Sequence, residues 1–293
     1  MQVIATVAEM QAARGSVPAG VGLVPTMGFL HEGHLSLVEQ ARRDNEALVV
    51  SIFVNPTQFA PNEDLDRYPR DMDRDLELLA QERVDAVFVP TADDMYPPGF
   101  DDWVDPLSPL VNRLEGESRP GFFRGVCTVV ARLFRIVQPD RAYFGQKDAQ
   151  QLRVIRQMVR DLELPVEIVA MPIVREPDGL AMSSRNAYLS PDQRENAAAL
   201  SRSLSEARQL VRDGVRDADR IRSRARNVLN DAGDITIDYV SVAEEATLTE
   251  LDVIDRPALL LLAAKIGRTR LIDNTILVPP GVAVPPPLAD LLS

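Results

Sequence analysis

Several residue types are scarce in this chain of 293 residues, and each scarcity excludes a class of protein. The single cysteine, Cys127, excludes an intrachain disulfide framework and a zinc site built on cysteines. It lies in an apolar run, which favours a buried thiol. The longest aliphatic run, Ala258 to Ala264, is too short to span a bilayer, so we expect no membrane partner.

Positive charge is also in deficit. The chain has 32 Lys and Arg against 44 Asp and Glu, which gives a formal net charge of −12. A protein that neutralises nucleic-acid phosphates needs a basic face, so we expect no nucleic-acid partner, although a local basic pocket for a nucleotide is compatible with this balance. The first residues contain no basic region followed by an apolar signal segment, and we expect a cytoplasmic protein.

Histidine occurs only twice, and both residues lie in one short segment. His31 and His34 follow the apolar stretch Val21 to Val24 and a glycine, and a helix-like stretch comes next. A strand, a glycine turn and a helix present backbone N–H groups and the positive end of the helix dipole to an anion. Imidazoles at this point add charge-assisted hydrogen bonds to phosphate. The alternative is structural, with one histidine capping the helix and the other in the core.

The histidine pair does not match the zinc-protease motif. That motif places two histidines four residues apart on one helix, whereas His31 and His34 are three apart and Gly33 interrupts the start of the helix. No further histidine or cysteine pair is present to complete a site. We therefore expect no metal ion held by protein side chains alone.

Lysine is as scarce as histidine, since only Lys147 and Lys265 stand among the 32 basic residues. Lys147 lies in the sequence Gly145-Gln146-Lys147-Asp148, between a predicted strand and a predicted helix. Lysine is a compact charge on a flexible stem, whereas arginine is a planar fork. The pattern indicates a small mobile cation that reaches phosphate; a chance surface lysine is the alternative.

Two further segments carry polar groups suited to ligands. The carboxamides of Asn55 and Gln58 follow a predicted strand, and Gln151 lies one helical turn beyond Lys147. Carboxamides donate and accept, which suits a ligand that bears hydroxyls and a carboxylate, but Asn-Pro is also an ordinary turn. The loop Met182 to Asn186 offers two hydroxyls and a guanidinium and can wrap a triphosphate, unless it is only a polar interdomain linker.

Alternating short β-branched runs and longer mixed segments predict an α/β domain with a mostly parallel sheet. The predicted strands are 21–27, 47–55, 84–90, 141–145 and 166–172, and the predicted helices are 35–45, 71–82, 126–137 and 150–162. After Arg175 the pattern changes to two helices, the first capped by Ser190, and three strands at 235–242, 258–266 and 269–278. We therefore predict a domain 1–174 and a smaller α+β domain 175–293.

Taken together, these segments resemble the pantothenate synthetase (pantoate–β-alanine ligase) family, within the adenylyl-transferring enzymes that carry a HIGH-type histidine motif. The resemblance rests on five segments in the same order, namely Pro25 to Leu37, Phe53 to Phe59, Asp64 to Arg70, Phe144 to Gln151 and Met182 to Asn186. It implies a Rossmann-like first domain that binds ATP and pantoate, and a second domain that acts as a lid.

The resemblance also implies a reaction. The carboxylate of (R)-pantoate attacks the α-phosphorus of ATP and releases pyrophosphate, and the amine of β-alanine then attacks the pantoyl adenylate and releases AMP. Mg²⁺ would bridge phosphate oxygens mainly through water and substrate. The family suggests a homodimer.

The family's site residues carry over onto matching positions of this chain. His34, His31 and Lys147 are expected to be catalytic, and Gln58, Gln151 and Asn55 to bind substrate, with Gln58 also near β-alanine. The residues expected to bind ATP are Met27, Gly28, Phe29, Leu30, His31, Glu32, Gly33, His34, Gly145, Gln146, Lys147, Asp148, Val174, Met182, Ser183, Ser184 and Arg185.

One position departs from the family pattern, and two alternatives remain. The family commonly has histidine where this chain has Phe122, and we expect the nearby Arg119 to approach the substrate carboxylate or the phosphates. A nucleotidyltransferase or a tRNA synthetase shares the histidine motif, but a synthetase would need a tRNA-reading domain and a basic face. A nucleotide-binding protein with a degenerate site would lack polar residues that are all present here.

Overall fold

The computed structural model describes residues 1–16, 20–61 and 63–292 of the chain. These residues form two units. Unit 1 contains Met1–Gly145 and Gln150–Met171, and unit 2 contains Gln146–Ala149 and Pro172–Ser293. The division therefore falls after Met171, a few residues before the predicted boundary, and the short Gln146–Ala149 segment groups with the second unit.

Unit 1 is built on six strands that alternate with helices. The strands are β1 (Gln2–Ile4), β2 (Val21–Thr26), β3 (Ala47–Ile52), β4 (Ala86–Phe88), β5 (Arg141–Gly145) and β6 (Glu167–Met171). The helices are α1 (Val7–Gly15), α2 (Glu32–Asp44), α3 (Met72–Gln81), α4 (Ala92–Met95), α5 (Glu115–Ser118), α6 (Phe122–Val137) and α7 (Ala149–Asp161), of which only Ala149 belongs to unit 2.

The six strands form one parallel sheet in the order β1-β4-β3-β2-β5-β6. From β2 the chain steps outward through β3 to β4, and it then returns to place β5 on the other side of β2. The strand order thus reverses between β2 and β5. In open parallel sheets, ligands bind beyond the carboxyl ends of the strands at such a reversal. The segments that follow Thr26 and Gly145 begin at this edge.

Unit 2 contains an antiparallel three-stranded sheet and the remaining helices. The strands are β7 (Ile235–Glu244), β8 (Ala258–Ile266) and β9 (Thr269–Leu277), paired in chain order. The helices are α8 (Pro191–Ala197), α9 (Ala199–Arg212), α10 (Ala218–Asp231) and α11 (Pro286–Ala289). With the parallel sheet of unit 1, this confirms the predicted fold class.

Local sequence accounts for most helix starts. Ser190 caps α8 with the predicted reciprocal hydrogen bonds to Gln193. Helix α2 begins at Glu32, earlier than predicted, because the His31 imidazole serves as its N-cap. Strand β1 and helix α1 were not predicted, although Thr6 and Glu9 form a capping box that marks the start of α1.

The apolar pattern of each unit explains its core. A buried cluster in unit 1 joins the faces of β2 and β3 to α2, with Val24, Val38 and Val50 fully buried. In unit 2 the strand β8 is buried along its length except at Lys265, which is exposed. Among the described residues, no helix is both long and apolar enough to cross a bilayer.

We expect Cys127 to be unreactive in the folded protein. Its side chain is fully buried in α6, and burial raises the pKa of the thiol to about 12. The thiolate is the reactive form, and little of it is present near pH 8 because this pH lies well below the raised pKa. A chromogenic disulfide reagent should therefore label no thiol in the native protein and one per chain in denaturant. Rapid labelling of the native protein would contradict the buried environment.

Candidate active site

The turn after β2 takes a backbone shape that its sequence permits. Gly28 has a φ of 81° and Phe29 a φ of 50°, so two successive residues lie in the left-handed region that glycine tolerates best. The Thr26 hydroxyl donates to the Ser51 carbonyl at 2.8 Å and accepts from the Gly28 N–H at 3.2 Å. The turn leads directly into α2.

A buried carboxylate holds this turn in place. The two oxygens of Asp75, on α3, accept hydrogen bonds from the backbone N–H groups of Phe29 and Leu30, each at 2.7 Å. Asp75 is 1% exposed, and burial raises the pKa of its carboxyl while the two N–H donors oppose the shift. Arg74 adds a hydrogen bond to the Leu30 carbonyl at 2.8 Å. Sequence analysis missed Asp75, although an aspartate four residues before buried Leu79 occupies a core-facing helix position.

The two histidines lie side by side at the start of α2. Their ring centroids are 4.1 Å apart. The Nδ1 of His31 accepts from the Gly33 N–H at 3.1 Å, and the Nδ1 of His34 accepts from the His31 N–H at 3.4 Å. A nitrogen that accepts carries no proton, so the neutral form of each ring carries its proton on Nε2. His31 therefore caps the helix, as the structural alternative proposed. In the neutral form, each ring still carries an N–H donor at Nε2, opposite the Nδ1 atom that accepts.

Asn55 lies beyond the end of β3 and is held by several hydrogen bonds. Its Nδ2 donates to the Gly125 carbonyl at 3.2 Å, and its Oδ1 accepts from the Tyr96 hydroxyl at 2.8 Å and from both Thr57 groups. The residue is 1% exposed. These hydrogen bonds indicate that Asn55 positions the turn that carries Gln58, and its contact with substrate stays a prediction.

Gln58 and Gln151 differ from Asn55 in this respect. Both side chains are partly exposed, and among the hydrogen bonds of the described residues neither carboxamide takes part in one. Their backbones are nevertheless fixed, since the Gln58 N–H donates to the Asn55 carbonyl at 3.2 Å and Gln151 lies within α7. Two carboxamides on ordered backbone are suitable for hydrogen bonding a small polar ligand.

Arg119 is held by protein groups next to the Gln58 turn. Its guanidinium makes a two-pronged ion pair with Glu63 at 2.7 and 2.9 Å and donates to the Gln58 carbonyl at 2.9 Å. The same group lies 3.7 Å from the centroid of the Phe122 ring. Arg119 is therefore engaged by protein groups and supports the Gln58 turn, and its approach to substrate stays a prediction. Phe122 supplies the ring on which Arg119 stacks.

Unit 2 presents its own set of predicted site residues. Lys147 lies in a short 3-10 turn, and its Nζ is 3.7 Å from the Asp148 carboxylate. Its side chain is 24% exposed. The Met182 N–H donates to the Val174 carbonyl at 3.0 Å, and the loop that follows starts at Ser183, whose hydroxyl accepts from the Arg185 N–H at 3.3 Å. Ser184 is buried.

The predicted site residues are therefore distributed over both units. In unit 1 lie the turn and helix start formed by Met27, Gly28, Phe29, Leu30, His31, Glu32, Gly33 and His34, together with Asn55, Gln58, Gly145 and Gln151. In unit 2 lie Gln146, Lys147, Asp148, Val174, Met182, Ser183, Ser184 and Arg185. Within the part of the chain that the structure describes, no group of three or more His, Cys, Asp or Glu is arranged to hold a metal ion.

Comparison with known proteins identifies one family over nearly the whole chain. The family model described as pantoate-beta-alanine ligase matches residues 2–276. The pantothenate synthetase of Roseiflexus castenholzii is 57% identical over 277 residues, which cover 94% of this chain and 99% of that protein.

Solved structures agree with this match. The pantothenate synthetase from Thermus thermophilus superimposes with a TM-score of 0.92 at 48% identity and covers 95% of this chain and 100% of that one. The pantoate-beta-alanine ligase from Francisella tularensis, solved with beta-gamma ATP and beta-alanine, has a TM-score of 0.79 at 34% identity over 94% of this chain and 97% of its own.

Proposed function

The chain belongs to the pantoate-beta-alanine ligase family, and from this premise we propose how its residues carry out the reaction. The activity is the ATP-dependent condensation of pantoate with β-alanine to pantothenate. A carboxylate does not react with an amine at a useful rate until it carries a good leaving group. The proposal is that ATP supplies this group as AMP.

The proposed reaction has two steps. A carboxylate oxygen of (R)-pantoate forms a bond to the α-phosphorus of ATP. The bond from the α-phosphorus to the oxygen that bridges it to the β-phosphorus breaks, which yields pantoyl adenylate and pyrophosphate. The amine of β-alanine then attacks the activated carbonyl and loses a proton, and AMP leaves. The first step brings an anion to a polyanion, so the protein must supply positive charge and fixed hydrogen-bond donors.

The start of α2 carries this proposal. It places the positive end of a 13-residue helix and two Nε2 donors beyond the carboxyl end of β2, where the strand order reverses. Asp75 holds the preceding turn through two short hydrogen bonds. We assign residues 27–34 and Gly145 to ATP binding in unit 1.

We assign His34 the catalytic role of stabilising charge on the transferring phosphoryl group, with His31 beside it. Pyrophosphate is a good leaving group and the attacking carboxylate has no proton to lose, so a proton transfer by His34 has little to accelerate. A preorganised donor on Nε2 instead stabilises charge as it develops on the phosphate oxygens.

In unit 2, the assigned groups supply positive charge and hydroxyl donors. Lys147 brings a mobile ammonium, and the loop from Met182 to Arg185 brings two hydroxyls and a guanidinium. Gln146, Asp148 and Val174 complete the residues assigned to ATP in this unit. Loops of this composition bind phosphate through charge-assisted hydrogen bonds.

Gln58 and Gln151 are assigned to pantoate, and Gln58 also to β-alanine. Each is a partly exposed carboxamide on ordered backbone, and pantoate offers hydroxyls that donate and accept together with a carboxylate that accepts. Asn55 contributes by fixing the Gln58 turn. The Francisella tularensis relative was solved with beta-gamma ATP and beta-alanine, which supports the proposal that this family fold binds ATP and β-alanine.

Mg²⁺ is proposed to enter as part of the ATP substrate. Because the described residues contain no acidic or histidine cluster suited to a resident metal, its ligands would be phosphate oxygens and water. It would neutralise charge on the leaving pyrophosphate. A homodimer, which the family resemblance suggests, and a cytoplasmic location, which is expected from the sequence, remain predictions.

Product analysis tests the proposed function. The purified protein is incubated with ATP, Mg²⁺, pantoate and β-alanine, and each component is omitted in turn. The expected result is AMP and pantothenate only with all components, together with pantoate-dependent exchange of pyrophosphate into ATP without β-alanine. ATP binding without AMP formation would instead indicate an inert nucleotide-binding protein, and retention of AMP on the product would indicate a nucleotidyltransferase.

We expect Gln151→Ala to raise the KM for pantoate by about tenfold, because one or two hydrogen bonds to the acid are lost. The Kd for ATP should stay within about twofold of the wild-type value, since Gln151 is assigned only to the acid. Steady-state kinetics and ATP titration measure the two effects. Gln157→Ala is the matched control, because Gln157 lies on the same helix and bonds only to surface groups. The reverse pattern would remove Gln151 from the pantoate site.

A further inference from the structure

The turn that carries Lys147 is held by a side chain that lies far away in the sequence. Asn274, on β9, donates from Nδ2 to the carbonyls of Gln146 and Lys147, both at 3.0 Å. Its Oδ1 accepts from the Gln146 Nε2 at 3.1 Å. Asn274 and Gln146 are each 2% exposed. The carboxamide of Asn274 therefore fixes the two peptide groups that flank the Cα of Lys147.

Asn274 is itself held by an ion pair. The Oδ1 of Asp273 accepts from the Asn274 N–H at 2.7 Å, and Arg175 donates to the Asn274 carbonyl at 3.3 Å. Arg175 and Asp273 form a two-pronged pair at 2.7 and 3.0 Å. The Asp273 side chain is completely buried, so this pair is shielded from solvent on the aspartate side. We call Arg175, Asp273 and Asn274 the buried lock.

Electrostatics make the buried lock sensitive to the loss of either charge. Burial raises the pKa of Asp273, while the hydrogen bond and charge of Arg175 and the charge of Lys147 oppose that shift. An ionised aspartate in this position depends on its partners, because removing one partner leaves a buried charge without compensation.

The same arginine also holds the second assigned segment of unit 2. Arg175 donates to the Gly179 carbonyl at 3.0 Å and pairs as a β-bridge with Ala181, directly before Met182. Gly179 has a φ of 90°, and a Cβ there would lie 2.6 Å from the Ser201 hydroxyl, so this turn of the hairpin favours glycine. The buried lock thus connects the Lys147 turn to the hairpin that ends at Ser183 to Arg185.

We propose that Arg175, Asp273 and Asn274 are positioning residues for adenylation, which set the Lys147 turn and the Ser183–Arg185 loop in one fixed arrangement within unit 2. The proposal rests on the proposed function. Lysine has a flexible side chain, so the position of its ammonium depends on how well its own backbone is fixed. Displacement of a charged group by about 1 Å is enough to lower a rate by roughly 100-fold.

A kinetic double-mutant cycle tests this proposal. Pantoate-dependent pyrophosphate exchange is measured at saturating substrate for the wild type, Asn274→Ala, Lys147→Ala and the double variant. We expect Asn274→Ala to lower the exchange rate about 30-fold, with the Kd for ATP changed by less than about threefold. In the Lys147→Ala background, the same substitution should lower the rate by less than about threefold, because the effects of substituting two interacting residues are not additive.

The outcomes separate positioning from stability and from failure of the proposed function. An equal fold-loss in both backgrounds would overturn the proposal, since a structural effect alone acts independently of Lys147. If Asn274→Ala does not fold, Arg175→Lys enters the same cycle, because it keeps the charge and loses the two-pronged geometry. Failure of both to fold would assign the buried lock to stability only. A wild type without exchange activity would overturn the proposed function instead.

Arg270→Lys is the matched control for Arg175→Lys. Arg270 lies on β9 and forms an ion pair with Asp238 at 2.7 Å, and both partners are partly exposed. We expect the control to keep the exchange rate of the wild type within about twofold, as exposed pairs contribute little.

Discussion

Lys147→Ala should lower the rate of pantoate-dependent pyrophosphate exchange by about 100-fold or more while the Kd for ATP rises by less than about tenfold. The reason is that negative charge increases on the bridging oxygen as pyrophosphate departs, so the ammonium stabilises the transition state more than bound ATP. Exchange kinetics and ATP titration measure the two quantities.

The chain offers a matched control for this substitution. Lys265 is the only other lysine of the sequence, and it is exposed on β8, away from the Lys147 turn in the chain. Lys265→Ala should leave both quantities unchanged. Lys147→Arg should recover only part of the rate, because a planar fork on a different stem does not place its charge at the same point. Comparable losses in ATP binding and in exchange would contradict a role specific to the transition state.

Asp75→Asn should lower the free energy of unfolding by about 3 kcal/mol. Asparagine offers one acceptor where the carboxylate offers two, so one of the N–H groups of Phe29 and Leu30 loses its partner and faces an amide donor. The turn before His31 should shift as a result, and the exchange rate should fall by at least about tenfold. Denaturant titration and exchange kinetics measure the two effects.

Asp73→Asn is the control, since Asp73 is an exposed residue of the same helix. It should change neither stability nor rate measurably. Loss of stability in Asp75→Asn with an unchanged exchange rate would show that the turn keeps its shape without the carboxylate, and would remove Asp75 from the account of the site.

The comparison of predicted and observed elements shows which signals were reliable. Patterns local to the chain succeeded, including the βα alternation, the cap at Ser190 and the glycine turn before His31. The protein partners of single polar side chains were not indicated by the sequence. Asn55 and Arg119 were singled out for substrate, and the structure shows that both also make hydrogen bonds within the protein. A side chain's residue type indicates what it can bind, but its partner depends on what the fold brings near it.

The sequence by itself determined the family and the fold class, and it indicated the segments that we propose carry the chemistry. Those properties depend on hydrophobic periodicity, glycine and caps, which act over a few residues, and on an ordered set of motifs. Only the tertiary structure decided what holds these segments. Asp75 binds a turn that lies about 45 residues before it, and Asn274 binds a turn that lies 127 residues before it. Such hydrogen bonds form because strand order and helix packing place distant backbone groups next to buried side chains, and no local pattern specifies that arrangement.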